Sequence, residues 1–156
     1  MAGNINILII DDEEIKSDLL KDSLEIAVMN YNKLHPDKEL LTDFTKAGTV
    51  QEALLCLDKK PYQLVLLDYE LKHPVIDGES LAKIIRKTEM NKSTYICGCS
   101  KIWCMEGSPD MGISYKNKNI IDDVINMDFN YLTRVGYGYV VRKLEKVIHE
   151  LADAVF

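Results

Sequence analysis

Residues 62–68, Tyr-Gln-Leu-Val-Leu-Leu-Asp, restrict the possible folds of this chain more than any other stretch. Four consecutive aliphatics stand between Pro61 and an acid, with no polar stripe at helical spacing. A run this short and this uniformly apolar suits a strand buried on both faces, whereas a helix would need about ten residues or more. Such a strand delivers Asp68 to the carboxyl edge of a sheet, where open α/β folds keep their ligand sites. Residues 5–10 form a second aliphatic run that ends the same way, in Asp11 and Asp12. Two neighbouring parallel strands would bring three carboxylates together, and such a cluster repels itself unless a cation or protons compensate it.

The 156 residues are enough for one domain with a proper core and too few for two comfortable ones. The amino terminus has no cationic start followed by an apolar run, so a signal peptide is not expected, and no apolar run approaches the ~20 residues of a membrane span. Lys and Arg number 19 against 25 for Asp and Glu, a net charge of −6, which excludes a basic nucleic-acid footprint. The expectation is a cytoplasmic protein with no nucleic-acid or membrane partner. Cys56, Cys97, Cys99 and Cys104 then read as free thiols.

After the Asp11-Asp12-Glu13-Glu14 run, which suits the positive first turn of a helix, apolar rows at three- and four-residue spacing begin at Ile15. One row is Ile15, Leu19 and Ile26; the other is Leu20, Leu24, Ala27 and Tyr31. Pro36 ends this helix. Residues 40–45 read as a more polar strand near the sheet edge, and Thr49 as the N-cap of a helix running to Leu57. A loop stiffened by Pro74 follows Asp68, and Asp77-Gly78 opens a third helix. Residues 94–99 read as a fourth strand, residues 101–119 as a long loop, 120–127 as a short helix and 130–133 as a fifth strand. From Tyr139 a final helix carries Val140, Leu144, Val147, Ile148, Leu151 and Val155 on one stripe. This βα alternation means a parallel sheet with helices on both faces.

Ile-Leu-Ile-Ile-Asp11-Asp12, Leu-Val-Leu-Leu-Asp68, Pro74 with Asp77-Gly78, Ile96-Cys-Gly-Cys-Ser100 and Asn-Tyr131-Leu-Thr-Arg134 form an ordered set. This set resembles the receiver domain of two-component response regulators over nearly the whole chain. The resemblance implies a single receiver domain over 1–156 with a flavodoxin-like, five-stranded parallel sheet in the order 2-1-3-4-5. It implies that Asp68 is the phosphoacceptor. Mg2+ would be held by Asp11, Asp12, Asp68 and the backbone carbonyl of Glu70. Ser100 would contact the phosphoryl group, Tyr131 would be the switch aromatic and Arg134 the closing base, both on the fifth strand.

The implied function is a signalling module, not an enzyme in the ordinary sense, that catalyses its own phosphorylation and dephosphorylation. A histidine kinase or histidine phosphotransfer protein would supply the phosphoryl group. A downstream protein would read the face made by the fourth helix, fifth strand and fifth helix, with a homodimer as a further state. Arg134-Val135 stands where receivers carry Lys-Pro, and Arg is not equivalent to the ammonium. Lys101 follows Ser100, where it can shield the phosphate or supply an ammonium. A one-residue slip in the fourth strand would put Cys99 in place of Ser100. The alternative reading is a phosphate-independent pseudo-receiver, an interaction scaffold on the same fold. A thiol sensor through Cys97, Cys99 and Cys104 is a third, although alternation puts Cys97 and Cys99 on one core-facing side of a strand.

Overall fold

A computed structural model describes residues 2–104 and 120–156. Its five strands are β1 (Ala2–Ile10), β2 (Glu39–Ala47), β3 (Leu64–Leu67), β4 (Tyr95–Cys99) and β5 (Asp123–Ile125). All pair in parallel, in the order β2-β1-β3-β4-β5. The helices are α1 (Glu14–Leu34), α2 (Val50–Lys59), α3 (Gly78–Lys87), α4 (Phe129–Val135) and α5 (Gly138–Val155). A 3-10 turn, Ile102–Cys104, follows β4.

Strand alternation divides the interior into two cores. Ile5, Ile7, Ile9, Leu64, Leu66, Cys97, Cys99 and Ile125 face α1 and α5 on one side of the sheet. Leu8, Ile10, Val65, Leu67, Ile96 and Val124 face α2 and α3 on the other. Because β1 and β3 lie inside the sheet, both of their faces are covered, which is why their sequences are nearly continuous aliphatic runs. Strand β2 is an edge strand, and its exposed Leu41, Asp43 and Lys46 reflect that.

The helix ends follow local chemistry. Thr49 caps α2 by accepting from the Glu52 amide, and Asp77 caps α3 by accepting from the Ser80 amide. Of the two rows proposed for α1, only Leu20, Leu24, Ala27 and Tyr31 are buried; Ile15 is 76% and Ile26 43% exposed. The sheet accepts one stripe, and the buried one also contains Lys16, Ser17 and Ser23.

Two expected elements exchange identity. Residues 120–127, expected as a helix, contain β5, and residues 130–133, expected as a strand, lie in α4. Every residue from 120 to 127 except Asp122 is buried, which leaves no polar face for a helix. Asp122 takes hydrogen bonds from the Ile96 amide and the Arg86 guanidinium, while buried Asp123 pairs with Lys143. These acids look like a helix start in sequence but serve to dock an edge strand. In α4 only Leu132 is buried, and Thr133 bonds back to the Phe129 carbonyl. The expected loop at 101–119 begins instead with the 3-10 turn, and its remainder, 105–119, lies outside the described residues.

Candidate functional site

Strands β1 and β3 are adjacent and in register through Ile10 and Leu67, so the residues that follow them emerge side by side. The Asp68 amide donates to the Ile10 carbonyl at 2.9 Å, which extends this registration to the acids. Asp11, Asp12 and Asp68 each offer an oxygen such that all three lie within 4.8 Å of one another. Asp12 and Asp68 line a cleft of about 250 Å³ together with Glu70, Ser100, Lys101 and residues 127–129.

Close backbone approaches fix the chain around Asp68. The Gly78 amide donates to the Tyr69 carbonyl at 2.6 Å, and a Cβ on Gly78 would stand 2.5 Å from the Asp68 carbonyl oxygen. Only glycine lets the start of α3 come this close. Trp103 lies across Gly98, where an added Cβ would meet its ring at 2.7 Å, and donates from Nε1 to the Leu67 carbonyl at 3.1 Å. The single tryptophan therefore bonds to the residue that precedes Asp68.

The electrostatics centre on a residue that sequence reasoning passed over. Lys16, on the first turns of α1, is 8% exposed. Its Nζ donates to Asp68 Oδ1 at 2.9 Å and lies 3.2 Å from Asp11 Oδ2. Burial alone would lower the lysine pKa, but Asp68 and Asp11 outweigh it and raise the value. Burial, with Asp68 adding repulsion, pushes the Asp11 carboxyl up from 3.8 to about 6, despite the opposing pull of Lys16. Burial also raises the Asp68 carboxyl, against the pull of Lys16 and the Tyr69 amide. Lys72 pairs with Asp12 at 2.9 Å from an exposed position. A sequence signal for Lys16 existed: it stands four residues before Leu20 in the buried row, where a lone charge needs a partner.

The other expected site residues divide. Ser100 is buried, lines the cleft, and accepts from the Ile102 amide at 3.1 Å; Cys99 faces the core instead, so the register favours the serine. Glu70 and Lys101 line the cleft from exposed positions. Tyr131 and Arg134 do not come to the site as strand residues. Both are on α4, and neither lines the cleft. Arg134 is exposed with its guanidinium carbon 5.6 Å from the Tyr131 ring centre, and Tyr131 packs edge-on to Tyr139. With β5 ending at Ile125, Met127, Asp128 and Phe129 take the place beside the cleft, and none is a cation.

The three acids fit a hard divalent ion. Asp11 Oδ2 and Asp12 Oδ2 are buried and accept no aligned hydrogen bond beyond their ion pairs. Carboxylate oxygens at this spacing suit Mg2+ better than they suit one another.

No family model matches the sequence, and comparison with curated proteins finds no match. Solved structures do match. The receiver domain of the Francisella response regulator 1452 is 21% identical, with 98% of this chain and 100% of that one covered and a TM-score of 0.65. The receiver domain of NtrX from Brucella abortus is 20% identical, with 94% and 98% covered and a TM-score of 0.63. The receiver domain of the sensor histidine kinase PA1611 from Pseudomonas aeruginosa, solved with a magnesium ion coordinated in its active site cleft, is 17% identical, with 88% and 98% covered and a TM-score of 0.56. The chain therefore has the fold of the response regulator receiver domains.

Proposed function

We propose that this protein is a phosphoacceptor receiver module in which Asp68 takes a phosphoryl group from a histidine kinase or histidine phosphotransfer protein. The observation that carries the reading is the convergence of Asp11, Asp12 and Asp68 within 4.8 Å at the carboxyl edge of the sheet. The Asp68 carboxylate is the nucleophile; its oxygen bonds to phosphorus as the bond from phosphorus to the donor breaks, and the donor keeps that electron pair. Asp11, Asp12, Asp68 and the Glu70 carbonyl would hold Mg2+, which supplies charge neutralisation for the transferring group. The Tyr69 amide, donating to Asp68 Oδ1 at 2.8 Å, fixes the carboxylate and leaves Oδ2 available for attack. Ser100, whose oxygen is held by the Ile102 amide, presents its hydroxyl to a phosphoryl oxygen.

In this reading a downstream protein reads the face of the fifth strand and its neighbouring helices, which are formed by β5, α4 and α5 rather than by a helix at 120–127 and a strand at 130–133. In this reading the module is cytoplasmic and catalyses its own phosphorylation and hydrolysis. No described helix is long and apolar enough to cross a membrane.

The test is beryllofluoride with Mg2+ on wild type and Asp68→Asn, followed by Trp103 fluorescence. Acetyl phosphate labelling with the adduct located by mass spectrometry runs in parallel. A wild-type response that the Asn variant lacks is expected. Equal responses from both proteins would remove the acceptor role.

One observation favours the pseudo-receiver alternative: Lys16 and Lys72 already pair with all three acids. A scaffold of that kind would show no Mg2+-dependent change in Trp103 emission. The thiol-sensor reading is disfavoured, because the Cys99 thiol and burial raise the Cys97 pKa well above the usual thiol range, away from the reactive thiolate.

A further inference from the structure

Phosphoryl transfer to a carboxylate brings three anionic oxygens beside an anionic nucleophile, so a site that performs it needs a fixed positive charge as well as a divalent ion. The segment that follows β5 supplies none: Asn126, Met127 and Asp128 carry no cation. Arg134 is exposed on α4 and does not line the cleft. Among the described residues the cleft-lining cations are Lys16, Lys72 and Lys101. Lys72 reaches Asp12, not Asp68, and Lys101 is exposed. Lys16 alone of these touches the nucleophile.

We propose that Lys16 is the phosphate-binding ammonium of this site, supplied from helix α1 instead of from the segment after β5. The inference rests on the receiver reading of Asp68. Side chains on a helix lean toward its amino terminus, so a lysine at the third position of α1 extends over the strand ends. Its stem is buried, its side chain is 9% exposed, and its Nζ sits 2.9 Å from Asp68 Oδ1. An ammonium has three donors. One is directed to Asp68, while Asp11 is an ion-pair partner at 3.2 Å without an aligned hydrogen bond, so the ammonium keeps donor capacity for an oxygen of a group bonded to Asp68. No bond to Lys16 forms or breaks during transfer; the ammonium stays protonated and compensates charge on the equatorial oxygens.

A purely structural role, in which Lys16 only balances Asp11 and Asp68, predicts a different response to mutation. Lys16→Gln and Lys16→Met, the latter keeping most of the apolar stem, are titrated first with Mg2+ alone and then with beryllofluoride at saturating Mg2+, with Trp103 emission as the signal. For a phosphate ligand, Mg2+ binds as tightly as in wild type or more tightly, because a competing cation is gone. Beryllofluoride then binds about 10- to 100-fold more weakly. Acetyl phosphate labelling of Asp68 slows about 100-fold, and Lys16→Arg recovers part of the loss. Unchanged beryllofluoride affinity overturns the proposal, as does parallel loss of Mg2+ and beryllofluoride binding.

Selective 15N labelling of lysine in wild type gives a measurement that needs no variant. The Lys16 Nζ resonance is expected to move on beryllofluoride addition, and a resonance that moves only with Mg2+ overturns the assignment. Failure of wild type itself to respond to beryllofluoride would refute the acceptor reading of Asp68; a wild-type response with unaffected Lys16 variants refutes only the role of Lys16.

Discussion

Asp11→Asn should make the protein more stable at neutral pH while weakening its divalent-ion site. In the folded chain burial, reinforced by the neighbouring Asp68 charge, raises the Asp11 carboxyl from 3.8 to about 6. Above pH 6 the group is ionised in folded and unfolded chains alike, and the folded state bears the cost of that charge. Below about pH 3.8 it is protonated in both, and the cost vanishes. The displacement corresponds to about 3 kcal/mol. That displacement is already net of the Lys16 attraction, and partial solvent screening of the group lowers the expected gain to about 2 kcal/mol. For a chain of this size that is a rise of roughly 4–8 °C in Tm.

Thermal unfolding of wild type and Asp11→Asn, in chelator, across pH 4 to 8 measures it. The gain should be complete above pH 6 and gone near pH 4. Millimolar Mg2+ should then narrow the gap, because only wild type has all three carboxylates to bind it. A variant that is less stable than wild type at pH 7.5, or a gain independent of pH, would refute the reasoning.

Arg134→Ala should leave beryllofluoride affinity and phosphoryl lifetime unchanged within twofold, because the guanidinium is exposed on α4 and stacks near Tyr131; a tenfold change would contradict that position. Asn91→Ala should destabilise by about 2–4 kcal/mol in urea unfolding. Its buried amide accepts from Tyr62 and donates to the Leu57 and Lys60 carbonyls, and removal leaves these backbone groups without partners. Gly98→Ala should cost about 1–3 kcal/mol and shift Trp103 emission, since the new methyl would meet the indole at 2.7 Å; unaltered stability and emission would show that the ring has room to move.

The sequence made the sheet readable because its central strands are buried on both faces, and that burial writes itself into aliphatic runs at 5–10, broken only by Asn6, and at 64–67. The caps at Thr49 and Asp77 were equally legible, since each acts on an amide three residues away. Strand β5 was not. It has three residues at the sheet edge, and the acids Asp122 and Asp123 that flank and begin it take partners 20 and more positions away. Local propensity carries no trace of Arg86 or Lys143, so 120–127 read as a helix and the next polar-apolar stretch as a strand.

What the sequence determined on its own is that Asp11, Asp12 and Asp68 stand at the ends of buried strands, because strand burial and strand ends are local properties. Tertiary structure alone decided which cation meets them. An ammonium on the first turns of α1 reaches Asp68, 52 positions along the chain, only because β1 and β3 pair in register and the helix packs back across their ends. Arg134, close in type to what the motif asked for, was carried away on a helix by the same packing.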